Sequence, residues 1–169
     1  MGLDAHVHCD CIEKGQLRVP FPWPDRLITD PYGAPDVRVD GLSEEEAHFL
    51  QDQLDEWLWE SPCEHKECVL VHHRLGNIAL VADLRGTISR LVDDEELPVL
   101  RQQVIYSGIH AGDSLSRADV ERLALELDDL EERDWSGIKR QSQRFLRDFI
   151  EQMRELITAS RAVNKPIVF

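Results

Sequence analysis

No stretch of the chain approaches the ~18 consecutive apolar residues of a membrane-spanning helix, so no span is expected. The N-terminus lacks a basic segment followed by an apolar run, and a secretory leader is therefore not expected. Met1-Gly2 offers a glycine for acylation, but His6 stands where that signal needs Ser or Thr. The expected compartment is the cytoplasm, where thiols stay reduced. Basic charge is also scarce. Lys and Arg number 19 against 33 Asp and Glu, for a net charge of −14 and a pI near 4.8. That balance excludes nucleic acid and an anionic membrane surface as main partners, since both require a basic footprint. It leaves room for a protein partner, a basic one above all, reached by electrostatic steering; plain solubility is the alternative use of the charge. The chain has no phosphate-binding Walker loop, dinucleotide fingerprint, His-Glu-x-x-His motif or nucleophile elbow. It also has no internal repeat and no low-complexity segment. The expectation leans away from an enzyme.

A chain of 169 residues suits one domain over residues 1–169 and needs neither disulfide nor metal merely to bury a core. What stands out is the placement of Cys and His. All four cysteines and five of the seven histidines fall within residues 2–11 and 63–73. Reduced cysteines so placed are free, metal-bound or redox-active rather than disulfide-paired.

The pattern of residues predicts an α+β fold, mostly helical, with a small sheet. Residues 2–11 alternate, with Leu3, Ala5, Val7, Cys9 and Cys11 on one face and Asp4, His6, His8 and Asp10 on the other, which reads as a half-buried strand. Five prolines in residues 13–41 predict a long loop, with Phe21, Trp23 and Tyr32 packed on the core and a short strand or hairpin near Val37–Val39. Ser43 and Glu46 form a capping box that opens a helix to about residue 61. Residues 64–75 fit a helix or a strand equally. Helices are expected over 78–92, from Ser116 and over 138–161. The second of these shows an acidic side containing Glu126, Asp128, Asp129, Glu131 and Glu132; the third is basic, and the two are expected to pair antiparallel. The apolar end, residues 166–169, predicts a docked strand.

Three constellations could carry chemistry. Cys9-x-Cys11 with Cys63-x-His65 supplies four soft donors of the kind that structural zinc takes in a tetrahedron. Cys68 and His72 stand in reserve, and they share a face with His65 if a helix starts near Glu64. The alternatives are small buried thiols or thiol redox chemistry. Asp4-x-His6-x-His8 is a second, rival metal set, whose His-x-His resembles the motif opening amidohydrolase-type and PHP-type phosphoesterase barrels. The chain is shorter than such barrels, and a polar strand face is the plain alternative. Gly108-x-His110-x-Gly112-Asp113 is the third. There His110 could act as acid or base with Asp113 orienting it, in a metal-dependent hydrolase; a tight turn explains the same residues.

The opening Met-Gly-Leu-Asp, the Cys-x-Cys that follows, the central Cys-x-His and the Tyr-Ser-Gly-x-His-x-Gly-Asp stretch resemble a group of small uncharacterised bacterial proteins. That resemblance implies no activity. By size and charge alone the chain is also similar to immunity proteins that neutralise basic toxins. These readings converge on a non-catalytic acidic protein that binds a protein partner, braced by structural zinc.

Overall fold

The computed structural model describes residues 2–93, 95–108 and 112–169. The fold is α+β and mostly helical, as expected, with a small sheet that includes both ends of the chain. Strand β1 (Gly2–His8) is followed by the hairpin β2 (Leu27–Thr29) and β3 (Pro35–Val37). Helix α1 (Glu44–Trp59), strand β4 (Val69–Asn77) and helix α2 (Ile78–Ile88) come next. A helical turn (Leu100–Val104), strand β5 (Ser114–Leu115), helices α3 (Arg117–Glu132) and α4 (Arg140–Val163) and strand β6 (Ile167–Val168) complete the order. The sheet order is β4-β1-β6-β5. β6 lies antiparallel to both neighbours, with His6 opposite Val168 and Leu115 opposite Ile167. Within this architecture the chain forms two compact units. One comprises Met1–His6 and Val71–Phe169, the other Val7–Leu70.

In the larger unit, α3 and α4 pack along their apolar stripes. Leu123, Leu127 and Leu130 of α3 are buried, as are Leu146, Phe149, Met153 and Leu156 of α4. Arg154 bonds to Asp128 and Glu131, while Arg161 bonds to Glu121. The higher number on α4 meets the lower on α3, so the pair is antiparallel. These exposed pairs select the arrangement more than they stabilise it. Glu126 departs from the acidic side to which sequence assigned it. It is 7% exposed and accepts the backbone N–H groups of Val99 at 3.0 Å and Leu100 at 2.8 Å. Those are amides of the kind that a helical turn leaves unpaired at its start. The carboxylate is buried because it caps a neighbouring segment.

In the unit of residues 7–70, α1 begins as the capping box predicts. The Ser43 hydroxyl accepts the Glu46 N–H at 3.3 Å and Glu46 accepts the Ser43 N–H at 2.8 Å. Leu50, Leu54 and Trp57 of α1 pack with Phe21 and Val37. The Trp57 indole donates to the Val19 carbonyl at 2.8 Å, tying the proline-rich segment to the helix. That segment covers the core with Phe21 and Trp23, whereas Tyr32 is exposed, and its β2–β3 hairpin has the expected short strand ending at Val37.

Candidate metal centre

β1 ends at His8, and the chain turns over residues 10–15, where Lys14 N–H reaches the Asp10 carbonyl at 3.0 Å. The alternation nevertheless holds for the thiols, since Cys9 and Cys11 are both buried. After α1, Ser61 and Pro62 lead into Cys63, and the chain makes a tight turn over Lys66–Cys68 before β4. The Cys9 N–H donates to the Cys68 carbonyl at 2.8 Å, which brings the two cysteine segments side by side.

The four predicted donors converge. Ligand atoms of Cys9, Cys11, Cys63 and His65 all lie within 4.8 Å of one another. The Cys9 and Cys63 sulfurs are 3.8 Å apart, Cys11 Sγ is 3.4 Å from His65 Nδ1, and Cys63 Sγ is 3.9 Å from the same nitrogen. A tetrahedral zinc ion with bonds of ~2.3 Å to sulfur and ~2.05 Å to nitrogen requires edges of about 3.8 Å between sulfurs and about 3.5 Å from sulfur to nitrogen. These three spacings match those edges within a few tenths of an ångström, and every other pair in the set lies within 4.8 Å. The His65 backbone N–H also donates to Cys63 Sγ at 3.4 Å, and His65 Nε2 lies 3.7 Å from the Glu64 carboxylate. That separation is longer than a hydrogen bond, so Glu64 contributes a negative charge beside the second nitrogen rather than a bond that orients it. Glu64 escaped notice in the sequence, although its adjacency to His65 was a usable signal.

The thiols do not ionise alike. A hydrogen bond from Cys68, then others from Cys11 and Cys63, bring the Cys9 thiol down to about 4 against the opposing effect of burial. Burial first, and then the neighbouring Cys9, push the Cys11 thiol up to about 12. Cys68 is also pushed up, chiefly because its hydrogen bond to Cys9 requires its proton. One thiolate thus gathers the S–H groups around it. Packed sulfur donors of this kind suit a soft or borderline cation, for which the thiols give up their protons.

The reserve and rival residues fall elsewhere. Cys68 joins the sulfur cluster, its Sγ 3.9 Å from that of Cys63. His72 does not. Residues 69–77 form a strand, so the one-face alignment that a helix would have given is lost, and His72 is exposed on β4. His6 is half-buried in β1. His8 is buried, against the expectation of a polar surface face. Among the described residues neither belongs to a group of three or more potential ligands. His110 lies outside the described residues. Asp113 is exposed and accepts the Tyr106 hydroxyl at 2.5 Å, which raises the Tyr106 pKa. The glycines of that segment answer to the fold. A Cβ at Gly108 would come within 2.7 Å of Ile78 Cα, and Gly112 has φ +78°.

Among the described residues, no helix is long and apolar enough to cross a membrane. Comparison with protein-family models, curated proteins and solved structures finds no match to this chain.

Proposed function

We propose that this chain is a non-catalytic, zinc-braced protein whose acidic surface binds a protein partner. The observation that carries the zinc reading is the set of donor-to-donor distances among Cys9, Cys11, Cys63 and His65. Three thiols and an imidazole within 4.8 Å of one another supply four ligands and so a closed set, as in structural rather than catalytic zinc sites. Zinc bound there would clip the end of β1 to the segment after α1. The partner reading is supported by the net charge of −14 and by one surface feature. Trp59 is 81% exposed and lines an open depression with Asp55, Glu56 and Glu60; among the described residues these carboxylates show no ion pair, and Glu56 accepts the Gln53 amide at 2.9 Å. An exposed aromatic ring beside three carboxylates suits a lysine or arginine side chain of a basic partner.

Elemental analysis of the purified protein tests the zinc reading. One zinc per chain is expected, lost with a lowered melting temperature in Cys9→Ser and retained in His6→Ala. Protein that carries no metal and takes up none would overturn it. Capture of a basic partner that weakens as salt is raised would support the acidic surface. Turnover of a small substrate, with no partner captured, would count against the non-catalytic reading.

A further inference from the structure

The cluster holds one donor more than a tetrahedron uses. Cys68 lies outside the group of four, yet its sulfur is 3.9 Å from that of Cys63 and its carbonyl accepts the Cys9 N–H at 2.8 Å. The distance between the sulfurs is again close to the ~3.8 Å edge between two sulfurs on one zinc. Cys68 is 1% exposed, and the backbone that carries it is unusual. Glu67 and Cys68 are consecutive non-glycine residues with φ of 53° and 56°. The left-handed region disfavours L side chains, and residues persist there where their surroundings hold them. Here the Cys68 N–H donates to the His65 carbonyl at 3.2 Å, while the Cys68 carbonyl accepts the Cys9 N–H. His65 is the contrasting donor. Its side chain is 21% exposed, and it sits at the rim of the cluster beside the Glu64 carboxylate.

We infer that Cys68 is a reserve ligand that exchanges with His65, so that the centre has two four-ligand shells, one of three sulfurs and a nitrogen and one of four sulfurs. The inference rests on the zinc reading above. In the exchange the bond from the metal to His65 Nδ1 breaks and a bond to Cys68 Sγ forms. The Cys68 proton passes to the released imidazole, so charge and atoms balance. The outward-facing ligand can then leave without release of the metal, which frees the His65 edge for a contact with a partner.

Cobalt(II) added to the zinc-stripped full-length protein tests this, with sulfur ligands counted by X-ray absorption and thiolate charge-transfer bands. Wild type should bind one cobalt with three sulfurs. His65→Ala and His65→Asn should each still bind one, with four sulfurs. Cys68→Ser should keep three sulfurs and one nitrogen. The double variant His65→Ala/Cys68→Ser should bind roughly 100-fold more weakly than either single variant, because only three ligands remain. Circular dichroism of each cobalt-loaded variant establishes that it is folded. His65 variants that bind as weakly as the double variant, or that bind with three sulfurs, would overturn the exchange while leaving the zinc site intact. A wild-type protein that takes up neither zinc nor cobalt would overturn both.

Discussion

The α3–α4 pair and the unit of residues 7–70 bury their interiors with different materials. The helical pair closes on Leu123, Leu127, Leu130, Leu146, Phe149, Met153 and Leu156. The other unit has one small apolar cluster around Phe21, Val37, Leu50, Leu54 and Trp57, and a second made of four cysteines. A segment below ~70–80 residues rarely gains more than ~3–5 kcal/mol from one apolar core. Its second cluster is therefore where a metal would matter most. The contrast locates the candidate centre in the part of the chain that has least to hold it otherwise.

Chelation should break the comparison most sharply. Removal of bound zinc is expected to cost residues 7–70 several kcal/mol, within the roughly 10–16 kcal/mol that structural zinc gives to small zinc-dependent peptides. Hydrogen exchange followed residue by residue should show the Cys9 amide losing protection while the buried turns of α3 and α4 keep theirs. Equal loss in both units would mean that they fold as one cooperative block and that the contrast has no energetic meaning.

The converse change is Phe149→Ala, which removes a side chain only 1% exposed in the helical pair. It should cost about 3–5 kcal/mol by denaturant unfolding, the usual penalty for emptying a large aromatic site. The zinc content of the folded protein should not change. Metal lost together with Phe149 would indicate that the centre depends on the helical core.

Sequence made most of both regions legible, for physical reasons that vary by residue. Two short clips, Cys9-x-Cys11 and Cys63-x-His65, revealed the donor set because each puts two ligands within reach of one point. Ser43 and Glu46 marked the start of α1 because their bonds are local. Failures came where the partner is distant in sequence. Residues 64–75 fit a helix or a strand equally, and only the helix aligns His72 with His65; Val69–Asn77 is a strand of the sheet. Cys68, held in reserve on sequence, does join the cluster, though by a left-handed turn rather than by the helix that would have aligned it with His65. Glu126 was set on the solvent side by its charge. It stands three residues after Leu123 and four before Leu130, and is therefore inside the apolar stripe. Position should have outweighed residue type there, because a buried carboxylate is stable when it has amides to accept.

The smallest expected effect belongs to the cap that opens α1, and it sharpens the contrast by separating helix ends from metal. Ser43→Ala removes a hydroxyl that accepts the Glu46 N–H and donates to the Glu46 carboxylate at 2.7 Å. Loss of such a cap costs about 1 kcal/mol, read as a small fall in the melting temperature with metal content unchanged. The Ser43 hydroxyl, followed by the Ser43 N–H, holds the Glu46 carboxyl below its ordinary value. A carboxyl lowered in the folded state adds stability that is present above its ordinary value and is lost as the pH falls through the lowered one. The difference between wild type and Ser43→Ala should therefore be full at neutral pH and shrink on acidification. A difference that stays constant with pH would assign the cap's contribution to the hydroxyl's bond with the Glu46 N–H alone.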